Sequence, residues 1–312
     1  GFTAEDARNA VVLAVSRLYL EAAAAESRIA AARAQVETAR ALHEQAQDMK
    51  ASGLVPGIEV LRAKVQLDAE EQRLIVAENA AATGHLALAQ AVGLPLNEEF
   101  RLEALPGRAP SLDVTVETAL ARATASRSDL AAARASLAAA EHTLEAAHRA
   151  ALPTLVAHAD VGRIGPDLPG LETTYTAVAA VRIPLYTGGS VRGGVAEATA
   201  RTEQARARLA DLSSRVEYEV RAALLDVGAA DRRVRVAEDA AAVADTQLAQ
   251  ARDRFAAGVA SGVEVVQAQE AAATAHENAI AGRLADGEAR VALARAVGVA
   301  AEGLADFLGG RQ

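Results

Sequence analysis

Cysteine and tryptophan are absent from this chain, methionine occurs once, and aromatic residues make up 3% of its 312 residues. Without cysteine, disulfides and thiolate chemistry are excluded, but no compartment is indicated, since a cysteine-free chain fits any of them. Large aromatic rings usually dominate the core of a thick globular domain, so this chain must bury its area another way. An uncharged apolar run of roughly 18 residues is also missing, so no transmembrane helix is expected. A transmembrane β-strand is not excluded, because its signal is shorter and weaker. An excess of positive charge is lacking too. The net charge of −9 argues against a nucleic-acid partner, which would need a basic face. Gly1 to Arg8 contain neither a basic nor an apolar region of the kind that opens a signal peptide, and none is visible.

What the chain has is alanine. Hydrophobic residues make up 51%, and many of them are alanines. Alanine has the highest helix propensity and lets helices approach closely. The composition therefore points to long helices packed side by side, with acidic and basic residues interspersed on a solvated surface.

The chain also repeats itself. Gly53-Leu-Val-Pro-Gly57-Ile-Glu59-Val60 is echoed by Gly258-Val-Ala-Ser-Gly262-Val-Glu264-Val265, 205 residues later (258 less 53). The same offset pairs Ala91-Val92-Gly93 with Ala296-Val297-Gly298, and Val15, Leu20 and Arg28 with Val220, Leu225 and Arg233. A constant offset held over about 80 residues indicates internal duplication. Each copy is predicted as helix, tip, helix. Neither proline nor glycine occurs from Ala7 to Lys50; Gly53, Pro56 and Gly57 then interrupt, and a second helix runs from about Ile58 to Val92. Glycine permits the left-handed backbone that ends a helix, and proline cannot continue one. At 1.5 Å per residue the arms are expected to be roughly 50–65 Å long.

The return helix of each copy bears a 3-4 spaced stripe, the mark of coiled-coil packing. In copy one it is Val60, Ala63, Leu67, Glu70, Leu74, Ala77, Ala81, Gly84, Leu88 and Ala91, with Glu70 as its polar interruption. In copy two it is Val265, Ala268, Ala272, Ala275, Ala279, Gly282, Asp286, Ala289, Leu293 and Ala296. So thin a seam holds an isolated hairpin weakly, and oligomerisation is the expected remedy.

Between the copies the pattern changes. Residues 99–111, with Pro106, Gly107 and Pro110, are expected to form a linker. Helices are predicted from about Leu112 to Ala125 and from about Asp129 to Ala151, ahead of Pro153. Thr154–Val161 and Tyr175–Ile183 then alternate at period two, with Tyr175, Ala177, Ala179, Val181 and Ile183 on one face and the loop Gly162–Gly170 between. Such strands are about long enough to cross a bilayer when tilted; a small soluble hairpin is the alternative from alternation alone. Gly188 and Gly189 follow, in Pro184-Leu-Tyr-Thr-Gly-Gly-Ser. With no Gly-Lys-Ser/Thr ending and no βαβ context, these glycines form a strand-to-helix corner rather than a phosphate cradle. The organisation is thus residues 1–98 as a first helical-hairpin repeat, 99–111 as linker, and 112–312 as a second repeat. The second repeat holds helices over 112–151, a β-hairpin over 154–184 and a helical hairpin over 190–298.

The order of helix, Leu152-Pro153, two strands, Ile183-Pro-Leu-Tyr-Thr-Gly-Gly189, long helix, Gly258/Gly262 tip, long helix and Val297-Gly298 resembles the TolC-type outer membrane efflux protein family. Ser126-Arg-Ser-Asp-Leu130 is similar to that family's Arg-Pro-Asp-Leu helix start, with serine for proline. The resemblance covers nearly the whole chain, and the duplicated tip is its most specific part. It implies a mainly α fold of long antiparallel helical hairpins forming a tunnel, and a β-barrel of twelve strands, four from each subunit of a homotrimer, in outer-membrane lipid of a Gram-negative cell. The helical part would stand in the periplasm and meet a periplasmic adaptor (membrane fusion) protein, which links it to an inner-membrane pump. The resemblance implies no enzyme and no cofactor. One departure is large. The counterpart of residues 112–205 would lie before residue 1, so copy one lacks its β-hairpin, and the expectation is that this stretch is a trimmed piece of a longer chain.

Candidate site residues follow. The tips, Gly53, Leu54, Val55 and Gly57 with Gly258, Val259, Gly262 and Val263, are candidate adaptor contacts; apolar tip residues also occur simply for hairpin packing. The resemblance places Glu264 at the pore mouth, where three copies would form a carboxylate ring that attracts cations. Gln267 one turn on and Glu59 of the first tip are its companions. Phe255 and Ala260 stand where some relatives use a tyrosine and an arginine to hold the pore closed. The alternative for Glu59 and Glu264 is that of ordinary helix-N-terminal acids favoured by the dipole. His142 and His148 are six residues apart and fall on different helix faces, so no metal spacing is seen among the histidines. No nucleophile turn is evident, so no catalytic residue is assigned. The competing function is a soluble coiled-coil scaffold or adaptor without channel activity.

Overall fold

The computed structural model describes residues 2–98, 100–102, 105, 114–165 and 172–299. Its elements are α1 (Phe2–Ala51), α2 (Gly57–Val92), α3 (Val116–Ser126), α4 (Ser128–Arg149), β1 (Thr154–Ile164), β2 (Glu172–Arg182), α5 (Ser190–Ala256) and α6 (Gly262–Ala296). The architecture is mainly helical with one antiparallel β-hairpin. Two compact units are formed, Gly1–Ser128 with Val216–Gln312, and Asp129–Arg215.

The first unit holds both long helical hairpins. They end where glycine and proline dictate. At both tips the helix stops on a glycine with φ of 72°, Gly53 and Gly258. The next residue reaches back five positions, Leu54 N to the Met49 carbonyl at 2.8 Å and Val259 N to the Arg254 carbonyl at 3.0 Å. This closes the carbonyls that a helix end leaves open. Pro56 and Ser261 then start the return helices from extended backbone, with ψ of 156° and 155°. Gly93 and Gly298 end those helices with φ of 80° and 81°. Each of these pairs is 205 residues apart, so the duplication is repeated in the backbone.

The hairpins cohere through small side chains. Ala237, Ala241 and Ala244 of α5 meet Ala272, Ala275 and Ala279 of α6. Ala25 and Ile29 of α1 meet Ala81 of α2. Leu20, Ala23 and Ala24 of α1 form a cluster with Ile280 and Val291 of α6, which joins the first hairpin to the second. Arg127, between α3 and α4, anchors the far end of α6: its Nη1 donates to the Ala296 carbonyl at 3.2 Å and to Glu219 Oε2 at 2.6 Å. Gly298 lies against it so closely that an added Cβ would be 2.9 Å from Arg127 Cγ and 3.1 Å from its backbone nitrogen.

Two boundaries differ from expectation. α3 begins at Val116 rather than near Leu112, because Thr115 takes extended backbone and its hydroxyl accepts from the Thr118 amide at 3.3 Å; residues 112 and 113 lie outside the described ones, as does much of the 99–111 linker. α4 ends at Arg149 rather than Ala151, as the residues leading into Pro153 are steered away from helix.

The second unit carries the β-hairpin, which is longer than the alternation suggested. β1 and β2 have 11 residues each and pair throughout, from Thr154 opposite Arg182 to Ile164 opposite Glu172. Part of the expected 162–170 loop is therefore strand. Residues 166–170 lie outside the described ones.

Candidate functional site: hairpin tips and β-hairpin

Apolar residues crown both tips. Leu54, Ile58, Val259 and Val263 are exposed, whereas Val55 turns inward. It packs on a cluster of Leu42, Met49, Ala251, Phe255, Val265 and Ala268, drawn from α1, α5 and α6. Phe255, which lacks a hydroxyl, is thus a buried floor beneath the second tip.

The two tip glutamates, equivalent in sequence, sit in different surroundings. Glu264 is partly exposed and accepts from Arg254 Nη1 at 2.7 Å, across its own tip. Glu59 is turned into the cleft between the tips, with its side chain 11% exposed and Oε1 accepting from Arg62 at 2.7 Å. Its other oxygen is buried without a protein hydrogen bond. Gly262 makes this possible, since a Cβ there would stand 2.3 Å from Glu59 Oε2. Gly57, the counterpart, faces only the end of the Lys50 side chain at 3.6 Å. Glu59 therefore packs between the two hairpin tips of the chain. Gln267 is exposed one turn beyond Glu264.

A larger polar group lies further along the same cleft. Gln66 Nε2 donates to Glu70 Oε1 at 2.7 Å and to Glu270 Oε1 at 2.9 Å. Arg73 donates to Glu70 at 2.9 Å and to both oxygens of Glu270, at 3.0 and 2.9 Å. Glu70 is 1% exposed. The hydrogen bond to Glu270 holds the Arg73 guanidinium above its ordinary range. For Glu270, partial burial pushes the carboxyl up, but hydrogen bonds from Gln66 and Arg73 outweigh it and hold the carboxyl below its usual range. In the sequence this group leaves one signal, the polar interruption of the stripe at Glu70. Glu270 falls outside the stripe of its own helix and could not be matched to a partner 200 residues earlier.

In the β-hairpin, directly opposed residues share a face. One face holds Leu155 with Val181, Ala157 with Ala179, Ala159 with Ala177, and Val161 with Tyr175, with Arg163 opposite Thr173 at its end. The other holds Thr154 with Arg182, Val156 with Ala180, His158 with Val178, Asp160 with Thr176, Gly162 with Thr174, and Ile164 with Glu172, a mixture of polar and apolar pairs. Nearly every residue of both strands is exposed. An isolated two-stranded ribbon, apolar on one side and open on both, is marginal in water. Its residues suit a barrel wall with lipid outside and water inside. The strand-to-helix corner is made by Gly188 and Gly189, with φ of 59° and 84°. A Cβ on either would meet nothing within 4 Å, so the glycines serve the backbone turn and not a close approach.

Among the described residues, no group of three or more His, Asp or Glu is placed to hold a metal ion, and no helix is long and apolar enough to cross a membrane; the latter says nothing of a β-barrel.

Comparison with known proteins bears directly on this arrangement. The profile of the family described as outer membrane efflux protein matches residues 119–299. Among solved structures, the chain is similar to the outer membrane protein VceC of Vibrio cholerae, with 22% identity over 95% of this chain and 72% of that one, and a TM-score of 0.75. It is similar to the open state of the Neisseria gonorrhoeae MtrE outer membrane channel, with 18% identity over 96% and 68% and a TM-score of 0.78. The Campylobacter jejuni CmeC outer membrane channel matches at 16% identity over 100% and 68%, with a TM-score of 0.72. A comparison with curated protein sequences finds no match.

Proposed function

Because the chain belongs to the outer membrane efflux protein family, we propose that it is the outer-membrane duct of a tripartite efflux or type I secretion system, a passive homotrimeric conduit for small molecules or proteins. The observation that carries this reading is the β-hairpin: 11-residue strands, one face mostly apolar, the other mixed polar and apolar, both uncovered. Strands of this length span a bilayer when tilted, and closure with other strands removes the free edges. The helical hairpins then stand in the periplasm of a Gram-negative cell. Their exposed tip residues, Leu54, Val259 and Val263, are the surface offered to a periplasmic adaptor, itself bound to an inner-membrane pump.

Expression of the full gene tests this. A duct fractionates with the outer membrane, migrates as a trimer in mild detergent, and conducts in planar bilayers. A water-soluble monomer without conductance would identify a coiled-coil scaffold instead.

Within the duct, Glu264 is assigned to the pore mouth with Gln267. Three Glu264 carboxylates attract cations, and Arg254 beside each one, at 2.7 Å, reduces that attraction. Glu264→Gln is expected to lower cation preference in bilayers, and Arg254→Gln to raise it. Unchanged reversal potentials in both variants would discard the ring.

A further inference from the structure

The seam of copy two has an opening where the seam of copy one is filled. In copy one, Leu67 of α2 is buried against Val36 and Ala39 of α1, and beside it Arg40 pairs with Glu71 at 3.6 Å. The positions 205 residues on are Ala272 for Leu67, Asp245 for Arg40 and His276 for Glu71. A methyl thus stands where copy one has an isobutyl group, and a carboxylate replaces the permanent cation. A cavity of about 150 Å³ lies there, where α1, α5 and α6 meet. Ala34, Leu248 and Ala272 give it carbon walls. Its polar groups are mostly acceptors. Gln35 lines it, and the Gln35 Oε1 atom is buried with no hydrogen-bond partner in the chain, a costly arrangement for an acceptor. Asp245 Oδ1 lies 2.8 Å from His276 Nε2, and a carboxylate keeps further acceptor sites beside one such bond. Among the described residues, no lysine or arginine lines the cavity.

We propose that this cavity binds a small primary alkylammonium ion, its ammonium group donating to Gln35 Oε1 and to Asp245 and its alkyl chain lying along Ala34, Leu248 and Ala272. The chemistry of the lining selects this class. An ammonium carries three donors and no acceptor, which matches walls rich in acceptors. An anion would meet the Asp245 carboxylate with no lysine or arginine to offset it. A purely apolar molecule would leave Gln35 Oε1 unpartnered. A metal ion would find too few ligands, since no group of three or more His, Asp or Glu is gathered among the described residues. The volume sets the length. It is about five times the share of one water in the liquid, which suits an ion of about five heavy atoms. All the lining groups belong to one chain, so the site does not depend on the number of copies in the duct.

The full-length protein in mild detergent tests this, with n-butylammonium as probe and tetramethylammonium, which has the charge but no N–H, as control. Saturation-transfer NMR and calorimetric titration are expected to show binding of the first and not of the second. Asp245→Asn keeps the shape of a side chain that is 53% exposed and is expected to weaken binding roughly tenfold, the worth of a charge-assisted hydrogen bond. Ala272→Leu fills the cavity as Leu67 fills copy one, and binding is lost. Asp245→Arg with His276→Glu gives copy two the ion pair of copy one. This double variant is expected to keep the native melting temperature and lose the ligand, which separates loss of the site from loss of the fold. Equal binding of the two ammonium ions overturns the site. So does native affinity in Ala272→Leu or in the double variant, and so does the absence of binding to the native chain.

Discussion

At the scale of single residues, two glycines with one backbone conformation have unequal roles. Gly93 and Gly298 both take φ near 80°, where a side chain costs about 1–2 kcal/mol. Around Gly93 the space is open, whereas a Cβ at Gly298 would press on the backbone of Ser126 and Arg127 at 3.1 Å. Gly93→Ala is therefore expected to cost about 1–2 kcal/mol, and Gly298→Ala roughly 2–4 kcal/mol. Urea denaturation of the two variants measures the difference; equal midpoints would show that the Arg127 contact is dispensable. The sequence marked both glycines as helix stops. The closeness of Arg127 was not legible, because it depends on a residue 171 positions away (298 less 127). The inward turn of Glu59 was hidden for the same reason: the glycine that admits it is Gly262, in the other copy.

At the scale of elements, glycine and proline made the helical hairpins legible almost to the residue, since both change backbone options locally. The strands were harder. Their ends, Gly162 to Ile164 and Glu172 to Thr174, include glycine and polar residues that suit a loop as well as a strand, and pairing across the hairpin decides between them. The stripe on α2 was visible, but its polar position gained meaning only from α6. The Glu270 carboxyl is held below its ordinary value of 4.5 by Gln66 and Arg73 despite partial burial. A depressed folded-state value means the unfolded chain binds the proton more readily. This contribution to stability is thus fully present above the ordinary carboxylate range and is lost as pH falls through the depressed value. Thermal melts from pH 7 to 3 should show a steeper acid loss for the native chain than for Glu270→Gln. Parallel curves would mean that the carboxylate adds nothing. Because Glu270 is substantially exposed, the difference is expected to be small.

At the scale of the whole molecule, the β-hairpin discriminates between membrane and water. Ala179 and Val178 are adjacent but face opposite sides, Ala179 beside Ala157 and Val178 beside His158. An arginine on a lipid-facing wall near the midplane costs roughly 2–4 kcal/mol. Ala179→Arg is therefore expected to reduce the yield of assembled channel in outer membranes severely, while Val178→Arg leaves assembly near normal and shifts conductance. The reverse ranking would invert the assignment of faces. The family and the helical tunnel architecture could be inferred from the residues. The shared face of Tyr175, Ala177, Ala179 and Val181 was legible from the alternation, and which residues of β1 join it required the observed strand pairing.

The alanine seams have a mechanical consequence. A stripe of near-identical small knobs offers little resistance to sliding, since moving one helix past another by a heptad, roughly 10 Å, sets alanine again on alanine. Between the two hairpins, the Arg28–Glu277 pair and the group formed by Gln66, Glu70, Arg73 and Glu270 oppose such a slide. Displaced by a heptad, Glu70, 1% exposed, would keep Gln66 and Arg73 on its own helix, but both would lose Glu270 across the cleft. A buried carboxylate with incomplete partners is costly. The group acts as a detent on a smooth rail, locking the lengthwise position of one hairpin on the other while the apolar contacts supply the grip.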